Sequence, residues 1–549
     1  MTDGRTEDAG TATGAPPARA RGGAWRRVLE GVLPAERFGD QRNILGNTGQ
    51  NVLGLAIGAL ATFAAQVLMT NALGPARFGV VTVATQFAFI AAAATRFGMD
   101  VANVRLVAIL VGKGEGGRVR GLVARSAGIA AGVSLAFAAA AFLASGALAE
   151  RFTALPGEAI PAFRAAAAAV PLAALAFTYL GATRGLKIMR HTLYAQWIAQ
   201  PIGWILLALA GWSVARTAGV TTLAYAGSWG LALVIAWWGW ERETRGRTVV
   251  GAGTGVPEER TGALLRFGAL RAPATLFSQL IFWADFYVLS RLSAGRGAAG
   301  AADVGVYGAA LRAAQSLFLF LTSVSLTFSP FVADLHHRGE RERLGALYRS
   351  VTRWTLGATV PVLLVLAILP EPVLRIFGGE FARGDDALRI LIVGMIVPVM
   401  VGTVGFILIM VGRTGWDLLV YLAGLTIDVG VAFVMARPEV LGIRGAALAQ
   451  ALTLSFSALA RLLLVRRFVG IWPFDRHFLR LLLPTAVGAA AMIGLDAWVP
   501  DARWALDLLV AGGGGSAVYA AALLLVGLTP GERRVAVALV RRALSPGGP

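Results

Sequence analysis

The sequence predicts an all-α integral membrane protein of about fourteen spanning helices, two parallel six-helix lobes followed by two further helices. Three observations lead there. Apolar residues fill the whole chain, the basic residues fall on one side of the resulting loops, and the chain repeats itself at a nearly constant offset.

Of 549 residues, 56% are hydrophobic and 15% charged, with mean hydropathy +0.67. A soluble domain carries about 25% charged residues, so the apolar content is not that of a single core. There are no cysteines, which excludes disulfides and thiolate chemistry. The net charge of +19 is nearly all arginine. In a soluble chain that would point to nucleic acid; here the arginines lie between apolar runs, where orientation in a bilayer accounts for them and no nucleic acid is expected. Scarce lysine and abundant Ala, Gly and Arg point to a GC-rich bacterial genome and so to the bacterial plasma membrane. Residues 1–46 are polar and basic, with Pro16 and Pro17 and without a signal-peptide core. They read as a mostly disordered cytoplasmic tail.

About 20 apolar residues cross a bilayer. Runs of that size fall at 47–71, 79–111, 121–147, 160–182, 192–213 and 218–240, the first lobe within 47–240. A Gly-rich charged linker, 241–261, follows. The second lobe, 262–468, holds runs at 263–291, 303–332, 352–377, 387–411, 416–436 and 441–465; the segment 469–549 adds runs at 478–498 and 504–528 and a basic tail. With the N-terminus inside, the cytoplasmic loops collect Lys113, Arg118, Arg120, Arg184, Lys187, Arg190, Arg242, Arg245, Arg341, Arg343, Arg466 and Arg467, while the outer loops hold few basic residues. The bias persists to the end, so an even number of spans puts both termini in the cytoplasm.

Phe78-Gly79-Val80 recurs as Val304-Gly305-Val306, Arg125-Ser126 as Arg349-Ser350 and Val170-Pro171 as Val397-Pro398, at offsets of 226, 224 and 227 residues. Two parallel halves related by an axis along the membrane normal are the build of transporters that rock one lobe against the other.

No enzyme signature stands out. The four histidines, His191, His336, His337 and His477, all fall in loops with no HExxH, so neither a metal site nor another cofactor is expected. Gly112-Lys113-Gly114-Glu115-Gly116-Gly117 lacks the order of a phosphate loop. With no ATPase motif, energy must come from a gradient, the membrane potential or the substrate's own gradient, a proton and Na+ being the candidate coupling ions.

Charged and polar residues inside spans cost energy unless they face protein or water. They are Arg96, Asp100, Asn103 and Arg105 in the second run; Arg271, Gln279 and Asp285 in the seventh; Arg312 and Gln315 in the eighth; and Asp428 and Gln450 further on. For Arg96, Arg105 and Arg271, near run ends, two readings stand: interfacial or helix-to-helix pairing, or a cavity. Arg312 lies roughly 13 Å into its run at 1.5 Å per residue. A central arginine costs about 2.5–3.5 kcal/mol on insertion scales, which favours a hydrated cavity. Buried arginines at least match the buried acids, and a guanidinium fork suits a diphosphate. Asp285 and Asp428, with Asp100, are the coupling candidates; a hydrogen bond or ion pair of Asp285 with Arg271 or a neighbour is the alternative.

Leu73-Gly74-Pro75-Ala76-Arg77-Phe78-Gly79, Arg96-Phe97-Gly98-Met99-Asp100 and Val104-Arg105 resemble the first helices of polysaccharide flippases. So do Asp303-Val304-Gly305-Val306-Tyr307-Gly308-Ala309-Ala310-Leu311-Arg312, Ser329-Pro330-Phe331, Gly412-Arg413-Thr414 and Leu441-Gly442-Ile443-Arg444-Gly445-Ala446-Ala447. The ordered series covers residues 47 to 470. The resemblance is to Wzx-type lipid-linked oligosaccharide flippases of the multidrug/oligosaccharidyl-lipid/polysaccharide (MOP) superfamily. It implies two six-helix lobes in a V around a cationic cavity, as in MATE and MurJ proteins, and passage of an undecaprenyl-diphosphate-linked glycan to the outer leaflet. It also implies polysaccharide polymerase machinery as a partner. Carried over by position, Arg312 is the first substrate-binding candidate, Arg271 the next, then Arg105, Arg96 and Arg77, with Gln315 beside Arg312. A lipid II flippase or a cation-coupled MATE-like drug exporter is the alternative. A membrane polysaccharide polymerase or ligase is the outsider, disfavoured by short outer loops.

Overall fold

The structure, a computed structural model, describes residues 38–112, 114–245, 259–500 and 503–528. The expected tail before residue 38, the linker residues 246–258 and the tail after 528 lie outside the described residues. The chain divides by packing into residues 1–50 and 51–549, and the packing described below is that of the second unit. Among the described residues every regular element is helical.

Helix α1 (Phe38–Thr95) begins ahead of the expected 47 and bends at Gly74, whose φ 70 and ψ 172 are non-helical. Glycine tolerates that conformation, and Pro75 restarts the helix because a first-turn residue needs no N–H. A second break, with Phe97 at φ 52 and Gly98 at φ 68, separates α1 from α2 (Met99–Gly112). The expected run 79–111 is therefore two helices. Then come α3 (Val119–Leu143), α4 (Ser145–Phe152), α5 (Pro156–Gly185), α6 (Arg190–Trp212) and α7 (Ala218–Arg245). In α6 the turn Leu193–Ala199 is a wide π-helix; Pro201, just beyond it, has no N–H to return to the carbonyl four residues back. Ala-rich α5 is the hub of this half, packed by α2, α3 and α7, as small residues allow close helix approach.

The second half runs α8 (Glu259–Leu280), α9 (Ala284–Ser293), α10 (Gly297–Gln315), α11 (Leu317–His337), α12 (Arg341–Ile368) and α13 (Pro370–Arg375). It continues through α14 (Asp385–Val401), α15 (Val404–Met410), α16 (Thr414–Met435) and α17 (Ile443–Val469). Helix α17 packs on both α14 and α16. The last pair, α18 (Leu482–Asp496) and α19 (Trp504–Gly527), leans on α12, where the Tyr519 hydroxyl donates to the Gly357 carbonyl at 2.9 Å.

Ten described helices are long and apolar enough to cross a membrane, or twelve if each of two bent pairs is one span. This measure does not reach the expected fourteen, and the breaks explain where it differs. The first two expected spans share the kinked α1, and the seventh and eighth share one bent pair, Ala272–Leu280 with Ala284–Gln315, at 59°. Leu143, Val214 and Trp498, 85%, 88% and 89% exposed, are among many large apolar side chains left on the surface, as a chain that faces lipid allows.

The repeat has a structural counterpart. Helices α1 and α10 cross at Gly79 and Gly305, equivalent positions in the two halves. A Cβ on Gly305 would lie 1.9 Å from the Pro75 carbonyl oxygen, and one on Gly79 2.4 Å from that of Ala301. Nearby, the Tyr287 hydroxyl donates to the Val83 carbonyl at 3.0 Å and that of Ser290 to the Phe152 carbonyl. These bonds tie α9 to the first half.

Candidate functional site

The site begins with the break between α8 and α9. Trp283 has φ −141 and ψ −3, so the helix is interrupted and its backbone groups need partners from outside. Helices α16 and α17 supply them. The Gln450 amide donates to the Ile281 carbonyl at 3.3 Å, and Asp428 Oδ2 accepts from the Asp285 N–H at 3.0 Å. Asp428 Oδ1 accepts from the Thr453 hydroxyl at 3.3 Å, and Asp285 Oδ2 from the Tyr307 hydroxyl. Asp285, Asp428, Tyr307, Gln450 and Thr453 are all buried to 0% exposure. Asp285 Oδ1 and Gln450 Oε1 have no hydrogen-bond partner among the described residues. The two acids, 143 residues apart in sequence, thus meet at one helix break. Among the described residues no group of three or more His, Cys, Asp and Glu side chains is suited to hold a metal ion.

Arg312 reaches the same break from α10. It is half-buried, with its guanidinium carbon 5.2 Å from the centroid of the Trp283 ring. Its Nε, like Nε2 of Gln315, is buried without a hydrogen-bond partner among the described residues. A buried donor without an acceptor costs about 1–3 kcal/mol, so both atoms call for one.

The other candidates are more engaged. Arg96 Nε lies 3.3 Å from Asp100 Oδ2 and its guanidinium stacks 4.7 Å from the Phe177 ring centroid. Asn103 donates to the Thr178 carbonyl at 3.1 Å. Arg77 binds Glu158 at 2.9 Å and the Arg216 carbonyl at 3.2 Å; Glu158 in turn takes the Ala218 N–H at 2.9 Å, so Arg77 helps fasten α5 to the start of α7. Arg105 is exposed on α2. The side chain of Arg271, on α8, lies outside the described residues.

Sequence reasoning did not single out Trp283 or Thr453 and gave Tyr307 no role. Tyr307 stands inside the motif that carries the family resemblance. The run Phe282-Trp283-Ala284-Asp285 gives no hint of a break, because it contains neither Gly nor Pro. A buried pair, Arg461 with Asp417 at 2.7 Å, was likewise not anticipated.

The polysaccharide biosynthesis protein family matches residues 44–336, more than half of the chain. The chain belongs to that family. The chain also matches the MatE family over residues 274–434. No curated protein sequence matches it. Its fold is similar to those of solved MATE transporters and of a lipid II flippase. An inward-facing multidrug resistance MATE family transporter is 16% identical with a TM-score of 0.62, covering 76% of this chain and 98% of that one. The lipid II flippase MurJ in an inward closed conformation is 12% identical with a TM-score of 0.57, covering 85% and 98%. A MOP superfamily transporter from Pyrococcus furiosus, described as having a binding pocket of reverse polarity, is 17% identical with a TM-score of 0.57, covering 76% and 94%. The families and folds that the chain matches are those of membrane transporters and flippases rather than enzymes.

Proposed function

We propose that the chain flips a polyprenyl-diphosphate-linked oligosaccharide from the cytoplasmic to the outer leaflet of the bacterial plasma membrane by alternating access. The observation that carries this reading is the guanidinium of Arg312, within an apolar helix, with Nε lacking an acceptor. A fixed fork of donors matches the oxygens of a diphosphate, and the Gln315 amide beside it offers another donor. A carrier of cationic drugs would need an acid in that place. The membership of a polysaccharide biosynthesis family is in keeping with a glycan on the lipid. The test is a vesicle assay with the purified protein and a fluorescent undecaprenyl-diphosphate oligosaccharide. Flipping of that lipid is expected. Export of a cationic dye without any flipping would favour the drug-exporter alternative, and flipping restricted to lipid II the other.

In this reading Asp285 and Asp428 couple transport to a proton or Na+ gradient. The two acids meet at one helix break, where repulsion between neighbouring buried carboxylates is relieved by binding a cation or a proton. Asp285→Asn should flip at a rate that no longer responds to an imposed gradient to which the native protein responds. An unchanged response would assign coupling to another group. Orientation is tested with reporter fusions: at Lys187, Arg343 and the C-terminus they should report cytoplasm, and near Glu158 and Asp385 the outside. An outside C-terminus would overturn the topology.

A further inference from the structure

We infer that Trp283 is a positioning residue for the anion site: it sits at the α8–α9 break and holds the guanidinium of Arg312 against its ring, tying the arginine's orientation to that break. The inference rests on the reading of Arg312 as the diphosphate contact. Trp283 is 6% exposed, and its ring is braced edge-on by Phe286 at 5.5 Å. Its backbone is pinned from both sides, two residues before by Gln450 on the Ile281 carbonyl and two residues after by Asp428 on the Asp285 N–H. The ring therefore does not travel with a continuous helix. Its place is set by two side chains from α16 and α17, one of them a member of the buried acid pair. Arg312 lacks a hydrogen bond at Nε, and the indole face, the best of the aromatic faces for a cation, is the partner that orients it. Any change that shifts the Asp428 contact shifts the ring, and with it the fork.

The experiment measures binding of geranylgeranyl diphosphate to the purified full chain in detergent. Trp283→Leu removes the π face at similar apolar character, and Trp283→Phe keeps a weaker face. Binding should fall roughly tenfold for Trp283→Leu and two- to threefold for Trp283→Phe, the range a desolvated cation–π contact supports. On an Arg312→Ala background both substitutions should have no further effect, which a merely structural tryptophan would not show. If Trp283→Leu fails to give monodisperse protein, Trp283→Phe with and without Arg312→Ala decides the matter alone. Arg312→Ala weakening binding while the tryptophan variants bind as the native protein does would overturn the positioning role and leave the function standing. Equal loss from a tryptophan variant on both backgrounds would do the same. No loss from Arg312→Ala itself would overturn both.

Discussion

Arg312→Ala is expected to abolish flipping while the protein remains folded in the membrane. The lost contact is charge-assisted and partly desolvated, worth about 1.5–3 kcal/mol, so substrate binding should weaken roughly ten- to hundredfold. Loss of an arginine that pairs within the fold would lower stability. Here Nε has no hydrogen bond to lose and the contact given up is that with the Trp283 ring, so the loss of stability should be small beside the loss of flipping. Arg312→Lys should keep part of the activity, since the charge persists without the bidentate geometry. Complementation of a flippase-deficient strain, with expression checked against the native level, measures both. Full complementation by Arg312→Ala would make the arginine incidental.

Gly305→Ala is expected to be strongly destabilising. Its Cβ would meet the Pro75 carbonyl oxygen at 1.9 Å and its carbon at 2.8 Å, both backbone atoms, so no side chain is available to swing away. Overpacking of a core costs about 1–3 kcal/mol where side chains yield, and here α1 and α10 must part instead. Gly128 provides the control: it lies on α3 with nothing within 4 Å of its would-be Cβ, and alanine there favours the helix by up to about 1 kcal/mol. Thermal unfolding in detergent should show a large drop for Gly305→Ala and none for Gly128→Ala. Equal midpoints would mean that the crossing is loose.

Much of this architecture was legible because the bilayer leaves a strong mark on sequence. Spans need long apolar runs, so the helical class followed from where those runs lie. Gly74-Pro75 lies between the first two expected runs, where the structure shows a bend in α1 and not a loop. Cost flagged the buried acids, since Asp285 and Asp428 are expensive wherever they lie in a span. What cost does not tell is who meets whom. The pairing of Asp285 with Asp428 and Tyr307 spans three helices, and the binding of Arg77 by Glu158 spans 81 residues; neither leaves a local trace. The break at Trp283 was hidden for another reason. Neither glycine nor proline marks it, and the residues that stabilise it, Asp428 and Gln450, lie on other helices. Trp283 itself is one aromatic residue among many, distinguished only by what its ring touches.

The meeting of Gly79 with Gly305 also bears on how such a chain could have arisen. Each glycine is the other's counterpart in the sequence repeat, so the crossing has the form of an isologous contact, the same patch meeting itself, as in a two-fold homodimer. A half-length ancestor would have made this contact with its own copy, where one change strikes both sides at once. Fusion of the halves relaxes that condition only in part: a side chain gained at one position still meets backbone from the other, so the two positions are bound to drift together or not at all.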